Sequence, residues 1–222
     1  MQYRNVLIFA NGEITDLQRA RSLIKAGDLI IAADGGSQYL QKMDLLPDVL
    51  IGDLDSTSPE FINIVMKAGK QVQKYPVAKD ATDLEIAIEY AISLQPQKII
   101  IVGGLGGRVD HLLANVMLLQ RYHKENIVII LDDGTVDVQL IEEKLVIHGA
   151  PGDLVSLVPL SDRVAGIVTE YLEFPLRSET IVIGESRGVS NVMLADIAHV
   201  SIISGVLLCI HIRQGKGEKD ES

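Results

Sequence analysis

Five short apolar runs, at residues 6–10, 29–33, 49–51, 98–102 and 127–131, constrain this chain more than any other feature. Each is followed almost at once by Gly, Asp or Asn. A strand covered on both faces reads as such a continuous run rather than as an alternation. Between the runs the apolar residues recur at helical spacing. Leu17, Ala20, Leu23 and Ile24 share one face of a helix predicted over 15–26 and stopped by Gly27. A second helix, 58–67, carries Pro59 and Glu60 in its first turn, where a missing N–H and a negative charge are both favoured. Leu84, Ala87, Ile88, Ala91 and Ile92 mark a third, and Leu112, Leu113, Val116 and Leu119 a fourth over 110–122. Residues 71–75 read as a weak strand. Strand–helix alternation of this kind predicts an α/β unit with an open, mostly parallel sheet and flanking helices.

After Asp132, Asp133 and Gly134 the helical period stops. Residues 136–141, 144–147, 154–159, 165–174, 180–183 and 199–212 read as strands separated by turn clusters, which predicts a C-terminal β-sandwich. The expected domains are 1–133 and 134–213, with a charged, glycine-containing tail over 214–222 expected to be disordered.

In open α/β sheets the reactive groups lie just beyond the carboxyl ends of the strands. The run at 49–51 leads into Gly52, Asp53, Leu54, Asp55 and Ser56. Asp53 and Asp55 are two apart, so in an extended backbone they point the same way. Two such carboxylates repel each other unless a cation lies between them, and a hard cation such as Mg2+ prefers oxygen and brings phosphates with it. The same residues also read as an acidic turn. Asp80 and Asp83 stand three apart at a helix start; they serve equally as capping acids or as two further carboxylates facing Asp53 and Asp55. Asp34, Gly35 and Gly36 end the second run, and glycines there let a ligand approach the backbone. The 98–102 run opens into Gly103, Gly104, Leu105, Gly106, Gly107 and Arg108. A glycine-rich loop before a helix offers N–H groups to phosphate, and Arg108 adds a charged fork. No Gly-Lys-Ser/Thr follows, so this is not a Walker A loop.

The net charge of −10 and the absence of a basic run exclude a phosphate-backbone binder, and 4% aromatic residues with no Trp leave few stacking platforms for nucleic acid. The lone Cys209 lies in an apolar run and cannot form an internal disulfide. The first residues read as a strand rather than a signal peptide, and the interrupted apolar stretch at 200–212 is too short for a membrane span. The expectation is a cytoplasmic protein with neither nucleic-acid nor membrane partners.

Five motifs occur in order: Asp34-Gly35-Gly36; Gly52-Asp53-Leu54-Asp55-Ser56; Lys79-Asp80-Ala81-Thr82-Asp83-Leu84-Glu85; Gly106-Gly107-Arg108-Val109-Asp110-His111 with Asn115; and Gly188-Val189-Ser190-Asn191. Together they resemble the thiamine pyrophosphokinase family, over about residues 5 to 212. The resemblance implies transfer of pyrophosphate from ATP to thiamine in a homodimer with sites at the subunit interface. It implies Mg2+ or Mg–phosphate partners at Asp53, Asp55, Asp80 and Asp83, with Lys79 and Arg108 neutralising charge. It implies nucleotide contact from Asp34, Gly35, Gly36, Gly107, Arg108, Asp110, His111 and Asn115, and thiamine contact from Ser190 and Asn191. Family members often carry Phe where this chain has Leu54. Some stack the vitamin on a Trp after the Ser-Asn pair, where Val192, Met193 and Leu194 follow here. The alternatives are a pyrophosphokinase for another hydroxymethyl heterocycle, such as a pterin, and a non-catalytic thiamine or thiamine diphosphate sensor.

Overall fold

The computed structural model describes residues 5–78, 80–123 and 127–214. Lys79 and the tail from Gly215 lie outside the described residues. The chain divides into two units between Gly134 and Thr135.

In the first unit, β1 (Asn5–Phe9), β2 (Leu29–Ala33), β3 (Val49–Gly52), β4 (Gln71–Lys74), β5 (Lys98–Val102) and β6 (Val128–Asp132) form a parallel sheet. Their spatial order is β6-β5-β1-β2-β3-β4. Val6 pairs with Leu29 on one side and Ile99 on the other, and Val6, Leu7, Ile8 and Phe9 are all 0% exposed. Complete burial of one such side chain is worth roughly 1.5–3 kcal/mol, which explains why the apolar runs became the central strands. The helices are α1 (Leu17–Ser22), α2 (Ser37–Lys42), α3 (Pro59–Lys67), α4 (Asp83–Ser93) and α5 (Val109–Tyr122). Leu7 and Phe9 share a core with Leu40 of α2 and Phe61 of α3. α4 packs against β1, β2 and β3 and buries Leu84, Ala87, Ile88 and Ala91.

α1 is shorter than its apolar spacing predicts. Asp16 caps it by accepting from the Gln18 and Arg19 amides. At the other end the Asp28 carboxylate accepts the Lys25 amide at 2.8 Å, and Gly27 takes φ +88. These local bonds turn the chain before another helical turn forms.

In the second unit, β7 (Val136–Ile141), β9 (Leu154–Pro159), β12 (Asn191–Val192) and β14 (Leu207–Ile212) make one antiparallel sheet, ordered β12-β9-β14-β7. β8 (Lys144–His148), β10 (Arg163–Glu170), β11 (Arg177–Val182) and β13 (Ile197–Ser201) make another, ordered β11-β10-β13-β8. Ile141, Val155, Leu157, Leu207 and Cys209 from the first sheet and Val164, Ile167, Ile181 and Val200 from the second share one core. The predicted sandwich is therefore present. The stretch at 199–212 is not one strand. Gly205 at φ +98 and a bridge from Ser204 to Ala165 break it into β13 and β14, which lie in different sheets. The run at 165–174 likewise ends at Glu170, where Tyr171 takes φ +60. No described helix is long and apolar enough to cross a membrane.

Candidate active site

Strand order reverses direction at β1. The chain runs outward through β2, β3 and β4, then returns to place β5 on the other side. Such a switch point opens a crevice at the carboxyl ends of the strands. A cavity of roughly 720 Å³ occupies it, lined by Asn11 and Gly12 after β1, Asp34 after β2, Asp53 and Asp55 after β3, Thr82 and Asp83 at the start of α4, and Gly103, Gly106, Gly107, Arg108, His111 and Asn115 from β5 into α5.

The floor holds the charge. Carboxylate oxygens of Asp34, Asp53 and Asp83 lie within 4.8 Å of one another. Asp34 is buried and left-handed at φ +41. Its carbonyl accepts the Thr57 hydroxyl at 3.2 Å, and the Thr57 hydroxyl meets the Ser37 hydroxyl at 2.9 Å. The Ser56 amide donates to Asp34 Oδ1 at 3.4 Å. Burial pushes the Asp34 carboxyl above its ordinary range. Hydrogen bonds from Ser56 and Gly35 oppose that rise, and the charge of Asp83 adds to it. A carboxylate held this way gains from a nearby positive charge.

Asp53 and Asp55 do not follow an extended strand. β3 ends at Gly52, which takes φ +146, and Leu54 is left-handed at φ +66 and buried. The Asp55 amide donates to Asp53 Oδ1 at 3.2 Å, as in a turn. The two carboxylates therefore have different surroundings: Asp53 joins the trio, whereas Asp55 lines the cavity from an exposed position and accepts the Ser56 hydroxyl at 2.9 Å. Asp80 is exposed and is not among the lining residues, while Asp83 enters because Thr82 caps α4 through the Glu85 amide at 3.1 Å.

The wall is glycine for steric reasons. The Gly12 amide donates to the Gly103 carbonyl at 2.9 Å, and a Cβ on Gly12 would lie 2.2 Å from that oxygen. A Cβ on Gly106 would lie 2.2 Å from the Glu13 carbonyl. Gly35 and Gly36 do not line the cavity; they let the turn after β2 tuck against Asn11 and Phe9, where added Cβ atoms would approach to 2.3 Å and 1.9 Å. Asn115 donates to the Gly104 carbonyl at 2.9 Å and ties α5 to this loop. Arg108 pairs bidentately with Asp110, at 2.5 and 3.1 Å, with both side chains well exposed. An exposed pair of this kind is worth little and exchanges readily for another anion.

Asn11 and Gly12 are lining residues that motif reading passed over. Their signal was present in the Asn-Gly pair that directly follows the first apolar run. In the second unit Ser190 is exposed at φ +59, and its amide donates to Ser156 Oγ at 3.0 Å. Asn191 is buried and its side chain is engaged with main chain, accepting the Phe174 and Val192 amides and donating to the Phe174 carbonyl.

A parallel sheet with clustered acids and glycine loops at its carboxyl edge defines a class of α/β proteins suited to phosphorylated ligands. Comparison narrows the class. Residues 20–131 match the family described as Thiamin pyrophosphokinase, catalytic domain, and residues 138–207 match Thiamin pyrophosphokinase, vitamin B1 binding domain. The chain is 30% identical to thiamine pyrophosphokinase of Bacillus subtilis over 192 residues, covering 82% of this chain and 86% of that protein. It is 25% identical over 181 residues to thiamine pyrophosphokinase 1 of Oryza sativa subsp. japonica, covering 78% of this chain and 69% of the other. The crystal structure of the Bacillus subtilis protein superposes with a TM-score of 0.85 at 28% identity, covering 95% of this chain and 99% of that one. The chain belongs to the thiamine pyrophosphokinase family.

Proposed function

We propose that this protein transfers the pyrophosphoryl group of ATP to the hydroxyl of thiamine, giving thiamine diphosphate and AMP. The observation that carries this reading is the Asp34–Asp53–Asp83 cluster beneath two glycine loops, in a chain matching both parts of the family. The presence of both parts favours the enzyme over a sensor or a pterin-directed relative. The thiamine hydroxyl oxygen gives its proton to a carboxylate of the acidic cluster and attacks the β-phosphorus of ATP, the bond from that phosphorus to the α,β-bridging oxygen breaks, and AMP leaves with the bond's electrons. Such a transfer depends on positioning and charge neutralisation rather than on covalent participation by the protein.

Three carboxylates with a buried, cation-seeking member fit Mg2+. Asp34, Asp53 and Asp83 would hold it, with Asp55 as a further oxygen partner, and the ion would neutralise phosphate charge. The amides of the Gly103–Gly107 loop receive phosphate oxygens. Arg108 releases Asp110 to do the same, with His111 near it at the start of α5; Lys79, outside the described residues, is the second cation of the motif. Asn115 keeps the loop in place. Ser190 offers its hydroxyl to the aminopyrimidine.

The active species is a homodimer. The exposed residues Val109, Leu113 and Met117, four apart on one face of α5, support coverage by a second copy. A reducing cytoplasm suits the buried thiol of Cys209. Incubation with Mg-ATP and thiamine, followed by mass identification of products, tests the reading. AMP and thiamine diphosphate in equal amounts are expected; ADP with thiamine monophosphate, or no product, would refute it.

A further inference from the structure

α2 is six residues long, yet its first three side chains in succession hold loops of the cavity. Ser37 is buried, and its hydroxyl meets that of buried Thr57 at 2.9 Å. Gln38 Nε2 donates to the Ser56 carbonyl at 3.3 Å. Both bonds reach the loop after β3. Tyr39 turns the other way. Its hydroxyl donates to the Gly12 carbonyl at 2.7 Å, in the loop after β1. Successive helical residues stand about 100° apart around the axis, so one short helix serves both loops.

Gly12 passes this contact on. Its carbonyl takes the Tyr39 hydroxyl, and its amide donates to the Gly103 carbonyl at 2.9 Å. Main chain meets main chain throughout. A Cβ on Gly103 would lie 2.7 Å from the Ala10 carbonyl oxygen, and one on Gly106 would lie 2.2 Å from that of Glu13. The loop after β1 therefore sits between α2 and the glycine loop with no side chain to cushion it. A shift of residues 10–13 is transmitted to Gly103–Gly107, because close-packed backbones have no slack to absorb it.

Tyr39 is itself well anchored. Its ring packs against the core that contains Leu7, Phe9 and Leu40, and the Lys42 ammonium lies 5.2 Å from the ring centroid. α2 begins directly after Asp34, Gly35 and Gly36. One short stretch thus carries an acid of the trio at residue 34 and, at residue 39, the hydroxyl that reaches the glycine wall.

We propose that Tyr39 is a positioning residue for the nucleotide phosphates: through Gly12 it sets the distance between the acidic floor and the glycine loop. This rests on the ATP reading above and deepens it. A phosphate chain held by two surfaces binds less tightly when their separation is not fixed in advance, because binding must then order the loop.

Tyr39→Phe removes the hydroxyl and keeps the ring, its packing and the Lys42 contact. Tyr90→Phe is the control. The Tyr90 hydroxyl donates to Gln71 Oε1 at 3.1 Å, at the first residue of β4 and so at the opposite end of the strands from the cavity. In the full chain with Mg-ATP and thiamine, Tyr39→Phe should raise the KM for ATP about two- to tenfold, the range of one neutral hydrogen bond, with the KM for thiamine held. Tyr90→Phe should change neither. In protein without ligands, amide hydrogen exchange over 10–13 and 103–107 should quicken in Tyr39→Phe and not in Tyr90→Phe. A KM for ATP that does not move, or a rise shared equally by ATP and thiamine, overturns the proposal. Unchanged exchange in both loops overturns it too. The exchange measurement needs no turnover. A wild-type protein that releases no AMP would therefore refute the activity, while exchange would still decide whether Tyr39 holds the loop.

Discussion

Asp34 and Asp83 stand on either side of Gly52. A Cβ added at Gly52 would lie 2.9 Å from the Asp34 Cβ and 3.1 Å from Asp83 Oδ1. One acid follows β2 and the other opens α4, yet their carboxylates reach the same few ångströms because the residue between them has no side chain. The end of β3 is thus a spacer as well as the source of Asp53.

The first prediction concerns this cluster. Asp83→Asn should keep the fold and lower turnover by about 100-fold or more, because an amide neither offsets phosphate charge through a cation nor repels its neighbours. Asp34→Asn should act the same way and raise the Tm in metal-free buffer, since it removes a buried charge. Turnover measured across a Mg2+ titration checks both; near-normal rates at limiting Mg2+ would reduce the cluster to an acidic turn.

Gly12 supplies the second. Its would-be Cβ lies 2.2 Å from the Gly103 carbonyl oxygen, backbone against backbone. Gly12→Ala should therefore separate the loops after β1 and β5 and cost about 1–3 kcal/mol of stability. Denaturant unfolding and the KM for ATP should both report it. Gly69→Ala meets nothing within 4 Å but stands at φ +73, so it should lower stability without touching the KM.

The third prediction is a pH dependence in the second unit. His211 is buried, with Nδ1 2.8 Å from Asp137 and Nε2 3.1 Å from Asp153; Arg213 also pairs with Asp137, at 2.6 Å. Burial works against the imidazolium, but the hydrogen bonds and charges of the two acids outweigh it and hold its pKa above the ordinary 6.5. A raised pKa means the contribution is complete below the unfolded value and fades as pH climbs through the folded one. The Tm should fall as pH rises above about 6.5, and His211→Gln should flatten that slope. Equal slopes for both proteins would remove His211 from the account.

Cys209 gives the fourth. Burial, with the charge of Asp137 added, pushes its thiol far above the usual range. Alkylating reagents act on the thiolate, so labelling at pH 8 should proceed only as fast as the second unit opens. Labelling of the native protein at the rate of a free thiol would contradict the burial.

Most of the architecture was legible because it is written in period and punctuation. The apolar runs at 29–33 and 98–102 became β2 and β5, with bounds identical to those read from the sequence. Asp83 read as standing at a helix start and does, with Thr82 as the cap that the structure selects. Asp55 was harder. Two carboxylates two residues apart share a side only if the residue between them is extended, and Leu54 is not. Its burial against the core drives the left-handed turn, and no local pattern announces a leucine that will be buried after a strand has ended. The strand break at Gly205 was harder to place, because the apolar residues on either side are separated by only two residues in sequence yet serve different sheets.

Sequence alone determined which segments must be covered on both faces, where they stop, and which acids and glycines stand at those stops, because burial and backbone conformation are local demands on residue type. Tertiary structure alone decided that Asp34 completes the trio and that Asn191 spends its amide on Phe174. These partners are 49 residues apart from Asp34 to Asp83 and 17 from Phe174 to Asn191. Their meeting depends on strand order and on the return of the chain, which no residue's own chemistry encodes.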